Sequence, residues 1–232
     1  MKVRASAIEK VMTNARKKGE LSKTCLSYVQ QTLKEELYEV KSVFSNKYTD
    51  KGIVMEDEAI ELVGRLYDLG LVFKNEEHYQ NDYITGTPDL LTEEAVRDIK
   101  CSWDVSTFPL FETEVPNKDY YWQLQGYMWL TGKQVAYLDY CLMDTPITLI
   151  NKEARSMAFR SGIEEVDESE YQALTHNLTF SRHPDAVRVK TFKVERDEEA
   201  IEAIKTRVEE VNAYVDNLKA TVYPAIEEKI TI

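Results

Sequence analysis

The spacing of apolar residues along this 232-residue chain changes period several times, and each change marks an element. Over the first 70 residues apolar positions recur at three- and four-residue steps, which predicts helices at about 5–18 and 22–42 and a third that ends near Gly70. Ser22 stands where an N-cap hydroxyl belongs. Strands are predicted at about 71–74, 79–84, 87–91 and 95–101. A loop through Pro109 and Pro116 leads to a mostly buried helix around Gln123 and a strand at 134–142. Residues 144–185 read as polar and irregular apart from a short helix at 164–175. A strand at 186–194 precedes a final helix at 196–222, in which Ile201, Ile204, Val208, Val211 and Val215 form one apolar stripe. The stripe suits packing on the core, with contact to a second subunit as the alternative. This order predicts an α/β (mixed α+β) fold, a central mixed sheet flanked by helices.

Candidate chemistry concentrates in Gly86-Thr87-Pro88-Asp89 and Asp98-Ile99-Lys100. Side chains alternate along a strand, so Asp98 and Lys100 share a face while Arg97, Ile99 and Cys101 take the other. A two-residue turn at 93 and 94 places Thr92 opposite Ala95 and, counting outward, Asp89 opposite Asp98. Opposed Cβ atoms in an antiparallel pair are roughly 4.5–5.5 Å apart, too close for two unscreened carboxylates unless a cation lies between them. An Asp-x-Lys on an exposed hairpin is ordinarily a solvated charge pair, but a third acid sharpens the picture. Ile53, Glu56, Ile60, Val63 and Tyr67 follow one helical face, so Glu56 lies among apolar residues, where a carboxylate must be paired, protonated or metal-bound. Glu58 and Glu61 fall on the polar side. Downstream, Gln123 and Tyr127 are four apart and present an amide and a phenol to one neighbour.

Taken in order, Glu56, Pro88-Asp89, Asp98-Ile99-Lys100 and Gln123-x-x-x-Tyr127 resemble the signature of the PD-(D/E)XK nuclease superfamily, in its RecB-like and lambda-exonuclease-like (YqaJ) branch. The resemblance runs from about the N-terminus to residue 143. Gly52-x-x-x-Glu56-x-x-Ala59 resembles the family's first acidic motif, and Arg4-Ala5-Ser6-Ala7-Ile8 resembles the segment that opens the nuclease domain in phage exonucleases. Asp98 stands where many members carry Glu. The resemblance implies a restriction-endonuclease-like core with Mg²⁺ or Mn²⁺ held by Glu56, Asp89, Asp98 and the Ile99 carbonyl. It implies that Lys100 and Gln123 complete the catalytic set, that Tyr127 backs them on the DNA-binding side, and that Arg4 and Ser6 grip a 5′ phosphate. Phosphodiester hydrolysis needs an activated water and something to absorb negative charge on the transition state, which suits an oxygen-rich metal shell beside Lys100, placed to orient or help deprotonate the water and to stabilise charge on the phosphate. Burial lowers a lysine pKa and neighbouring carboxylates raise it, and for Lys100 the sequence leaves that balance open.

The formal net charge of −12 opposes a nucleic-acid partner, but it is unevenly spread. Residues 1–51 carry eleven Lys or Arg against six Asp or Glu, a local +5 that leaves −17 for the remainder. The chain therefore reads as one nuclease domain with a basic, helical, DNA-facing segment (1–51), a catalytic core (52–143) and a C-terminal extension of strand and long helix (144–232). Arg16 and Lys17 mark the densest positive charge. Residues 103–111, beyond the catalytic strand, are a candidate DNA-contacting loop. Cys25, Cys101 and Cys141 lie far apart in sequence, which predicts free thiols in a reducing compartment. Three cysteines cannot supply a four-cysteine set, so no iron–sulfur cluster is expected. No long apolar run or leader-like start occurs, which predicts a cytoplasmic protein without membrane contact. The three histidines lack zinc-site spacing, and no Gly-x-x-x-x-Gly-Lys loop occurs.

The expected activity is a metal-dependent exonuclease that digests linear duplex DNA from its end, 5′ to 3′, in phage-type recombination. The resemblance adds a ring-shaped homo-oligomer and a single-strand annealing protein as partners. The alternatives are an endonuclease on the same fold and a catalytically silent DNA-binding protein.

Overall fold

The computed structural model describes residues 1–42 and 45–230. A short sheet, in the order β1-β3-β2, is built from β1 (Val3–Arg4), β2 (Tyr79–Gln80) and β3 (Ile84–Gly86). A larger mixed sheet is ordered β4-β5-β6-β7, from β4 (Leu90–Leu91), β5 (Ala95–Cys101), β6 (Val135–Cys141) and β7 (Val189–Glu195). β5 pairs antiparallel with β4 and parallel with β6. Parallel neighbours need a crossover, here α4 (Lys118–Thr131). The Asn117 side chain caps its start, and Gly132 closes it at a φ of 73°, a conformation glycine adopts without strain.

Strand alternation gives β5 two buried faces. On one, Val96, Leu138 and Phe192 pack beneath Leu124 and Met128 of α4 and beneath Ile204 and Val208 of α7 (Glu198–Ile230). On the other, Ile99, Cys141 and Val189 meet Met55, Ile60 and Val63 of α3 (Lys47–Leu66). The stripe on the final helix is thus spent on the core. Trp103, just beyond β5, packs with Ile150 of α5 (Ile147–Ser161) and with Leu178, the residue that ends α6 (Glu168–Asn177). No helix among the described residues is long and apolar enough to cross a membrane.

Several predicted boundaries are corrected. The helix expected at 5–18 is a 3₁₀ turn (Ala5–Ala7) followed by α1 (Ile8–Met12). It stops because the Thr13 and Ser22 hydroxyls meet, Asn14 bridges to Leu21, and Gly19 turns the chain at φ 84°. α2 (Lys23–Leu37) starts as predicted, with the Ser22 hydroxyl accepting from the Cys25 N–H at 3.0 Å, but ends before Glu39, which adopts a φ of 51°. No strand forms at 71–74. Asn81 splits the segment at 79–84 by accepting from the Tyr83 and Ile84 N–H groups, which creates the β2–β3 turn. Residues 144–185 are not irregular: α5 fills much of the stretch, its buried stripe of Ile150, Ala154 and Ala158 carried mostly by small residues. Cys101 and Cys141, distant in sequence, are register partners across β5 and β6, and all three cysteines are free thiols.

Candidate active site

The β4–β5 register, Leu90 opposite Arg97 and Leu91 opposite Val96, sets Asp89 opposite Asp98, as the two-residue turn predicts. Asp98 is fully buried. Its Oδ1 accepts from Gln123 Nε2 at 3.0 Å, while its Oδ2 lies 2.6 Å from the Lys100 ammonium and has no other partner among the described residues. Asp89 Oδ2 accepts from the Ile99 N–H at 2.6 Å. The Lys100 ammonium also sits 5.0 Å above the Tyr120 ring. Gln123 Nε2 donates a second hydrogen bond to Tyr127 Oη at 3.0 Å, and that hydroxyl donates to the Thr87 carbonyl at 3.2 Å. α4 and the segment between β3 and β4 that carries Asp89 are thereby tied together. A Cβ at Gly86 would come within 2.9 Å of both Ala5 and Tyr127, so glycine is what permits this approach.

The electrostatics follow from crowding two carboxylates and a lysine in a poorly hydrated place. Burial, and then the charge of Asp98, push the Asp89 carboxyl up to about 8. Burial alone would lower Lys100, but the charges of Asp98 and Asp89 outweigh it and raise the lysine above its ordinary value. That answers the question left open by the sequence: Lys100 is held protonated. Burial and the same two carboxylates raise the Tyr127 phenol, so it remains a neutral donor.

Among the sequence-predicted residues, Asp89, Asp98, Ile99, Lys100, Gln123 and Tyr127 come together. Glu56 stops short. The buried face of α3 runs through Lys51, Met55, Ala59, Leu62 and Val63, whereas Ile53 and Tyr67 are exposed, so the predicted stripe is rotated and Glu56 sits at its border. Its Oε2 is paired with Lys74 Nζ at 2.5 Å. Accordingly, no three acidic, histidine or cysteine side chains among the described residues are already gathered around one point. Tyr127 is 4% exposed and faces Gln123 and Thr87, so it supports the site from behind and offers no surface to DNA. Arg4 and Ser6 are exposed, and Arg4 lies opposite Thr85 of β3, which ends three residues before Asp89. Arg16 and Lys17 lie in the loop after α1, where Lys17 pairs with Glu20. Within the candidate loop Trp103 is buried and Phe111 is almost wholly exposed.

Two contributors were missed in the sequence. Tyr120 precedes Gln123 by three residues on the same helical face, a signal that was present. Lys74 comes from an irregular segment with no periodicity to reveal its reach. Asp89 and Asp98 are carboxylates of the kind a hard, oxygen-preferring cation would take as donors, and the buried Asp98 Oδ2 has no hydrogen-bond donor among the described residues.

No protein-family model matches the sequence, and no curated protein matches it either. Solved structures do. A phage-related exonuclease from Haemophilus somnus 129PT superposes with a TM-score of 0.78 at 31% identity, over 95% of this chain and 96% of that one. An alkaline exonuclease (LHK-Exo) from Laribacter hongkongensis shares the fold, with a TM-score of 0.66 at 19% identity over 97% of this chain and 94% of that one. The same enzyme in complex with dAMP gives the same agreement. The mixed sheet with its carboxylate–lysine strand is thus the architecture of a nuclease. Within the PD-(D/E)XK superfamily, the chain belongs to the phage-related exonucleases.

Proposed function

We propose that this chain is a metal-dependent DNA exonuclease that hydrolyses phosphodiester bonds from the end of linear duplex DNA, 5′ to 3′, in phage-type recombination. The observation that carries the reading is the buried Asp98, opposite Asp89 and facing Lys100 with an otherwise unpartnered oxygen. The dAMP complex of the alkaline exonuclease supports a nucleic-acid substrate.

In this reading Asp89, Asp98 and the Ile99 carbonyl would hold Mg²⁺ or Mn²⁺, with Glu56 joining from α3. Bound there, it would supply Lewis-acid stabilisation of the scissile phosphate and a more acidic water. Lys100, whose pKa the neighbouring carboxylates raise, donates to a non-bridging phosphate oxygen and stabilises the charge that builds there. Gln123 fixes Asp98 and faces the nucleophile. Arg4 and Ser6 grip the terminal 5′ phosphate, the guanidinium through a bidentate fork and the hydroxyl as a single donor. The basic stretch before α3 faces the duplex, and a ring of subunits, an annealing partner and a cytoplasmic setting belong to the same reading.

The test uses linear duplex labelled at ends bearing a 5′ phosphate or a 5′ hydroxyl, with Mg²⁺ or with EDTA, alongside covalently closed circles. Metal-dependent release of nucleotides from the phosphorylated end is expected, with circles left intact. Lys100→Met should slow release about 100- to 1,000-fold, the usual cost of losing one preorganised charge-stabilising donor. Nicked circles, or cleavage in EDTA, would overturn the reading.

A further inference from the structure

Lys74 belongs to no regular element, yet its place is firmly set. The next residue, Asn75, donates its N–H to the Asp89 carbonyl at 2.8 Å and its side-chain amide to the Pro88 carbonyl at 2.9 Å. Two hydrogen bonds therefore pin the backbone beside Lys74 to the motif that carries Asp89. From there the ammonium reaches α3 and meets Glu56 Oε2 at 2.5 Å. The lysine side chain is 44% exposed and the glutamate side chain 19%. A half-exposed ammonium on a mostly buried carboxylate is a replaceable counter-ion, because the lysine regains hydration on leaving while the glutamate cannot. Lys74 also feels the charges of Asp57 and Asp89, so it stands at the acidic rim of the cleft.

We propose that Lys74 is a resident cation that a divalent metal displaces from Glu56, and that the freed ammonium then binds a phosphate of the substrate strand. This rests on the metal-dependent reading given above. A divalent ion held by Asp89 and Asp98 and joined by Glu56 would need the oxygen that Lys74 holds, so the two cations would exclude each other at Oε2. Released, the ammonium swings on a four-carbon stem from a backbone that Asn75 keeps fixed, and it remains at the rim where the nucleic-acid backbone must pass. The exchange gives the Glu56 carboxylate a partner before metal arrives, and it links metal loading to substrate capture.

The experiment measures Mn²⁺ binding to the full chain without DNA, by calorimetry and by the loss of the free-ion paramagnetic resonance signal, in wild type, Lys74→Met and Lys74→Arg. Lys74→Met is expected to bind Mn²⁺ about 3- to 10-fold more tightly, since its competitor is gone. The gain should persist in 0.5 M NaCl, where charge effects at longer range are screened. With Ca²⁺ in place of Mg²⁺, the same variant should bind a 5′-phosphorylated duplex end several-fold more weakly, with a salt dependence smaller by about one phosphate contact. Lys74→Arg should restore both values. Unchanged or weaker Mn²⁺ binding in Lys74→Met, or unchanged DNA binding, overturns this inference while leaving the metal reading intact. A wild type that binds no Mn²⁺ overturns the metal reading and this inference with it.

Discussion

Arg97 and Asp98 are neighbours on β5, and each is half of a buried ion pair, one on either face of the sheet. Arg97 donates to both oxygens of Asp139 at 3.0 and 2.8 Å, and its guanidinium lies between the rings of Tyr137 and Tyr67, 4.3 and 5.0 Å from their centroids. The Thr191 hydroxyl donates to the same carboxylate. That pair is closed. On the other face Lys100 is 24% exposed, and Asp98 Oδ2 has only the ammonium before it. The charge types and the buried carboxylate match, while the exposure of the cation and the degree of completion differ. A fully satisfied pair fixes two strands in register, whereas an unfinished one keeps capacity for a ligand.

Breaking the closed side should have the largest effect. Arg97→Met leaves Asp139 buried without its cation and is expected to lower the unfolding free energy by about 3–5 kcal/mol in urea titrations. A loss under about 1 kcal/mol would mean that this pair is no more structural than an exposed one. On the open side, Gln123→Leu strips a donor from Asp98 Oδ1 and should cost about 1–3 kcal/mol of stability. Single-turnover cleavage should fall with it, and the contrast sharpens if the loss in rate exceeds tenfold while the fold survives.

A pH dependence probes the open side without any substitution. In EDTA the Asp89 carboxyl, raised from 3.8 to about 8, keeps a proton that the unfolded chain has already released. Folded protein thus binds more protons across that interval, so stability from this group is complete below about pH 4 and is lost as pH climbs through about 8. Mg²⁺ binding, which expels the proton, should tighten over the same range. Urea midpoints at pH 5, 7 and 9 check the first half, and an upward trend attributable to Asp89 would contradict it; a control with Asp89→Asn isolates that contribution.

What could be read beforehand was whatever depends on strict periodicity. β5 matches its predicted span because two faces, a two-residue turn and an Asp-x-Lys leave one workable register. Ser22 was legible because a cap is a local device. Glu56 was placed on too apolar a face, because the charged Lys51 is in fact buried, donating to the Trp103 carbonyl at 3.0 Å, while the apolar Ile53 is turned outward. α5 escaped notice because alanines at four-residue steps bury well but signal weakly, although Gly162 marks its end at φ 69°. Lys74 reaches the cleft through Asn75, and such a tether leaves no trace in spacing.

The Gln123 amide group carries one last implication. Both hydrogens on its nitrogen are committed, one to a carboxylate and one to a phenol, and the phenol's own hydrogen is committed in turn to a main-chain oxygen. Only the amide oxygen is left over, and it can accept but never give. Any water lodged there must point a hydrogen at the glutamine and so aim its lone pair elsewhere: a chain of one-way bonds, begun at the Thr87 carbonyl, sets the orientation such a water would take.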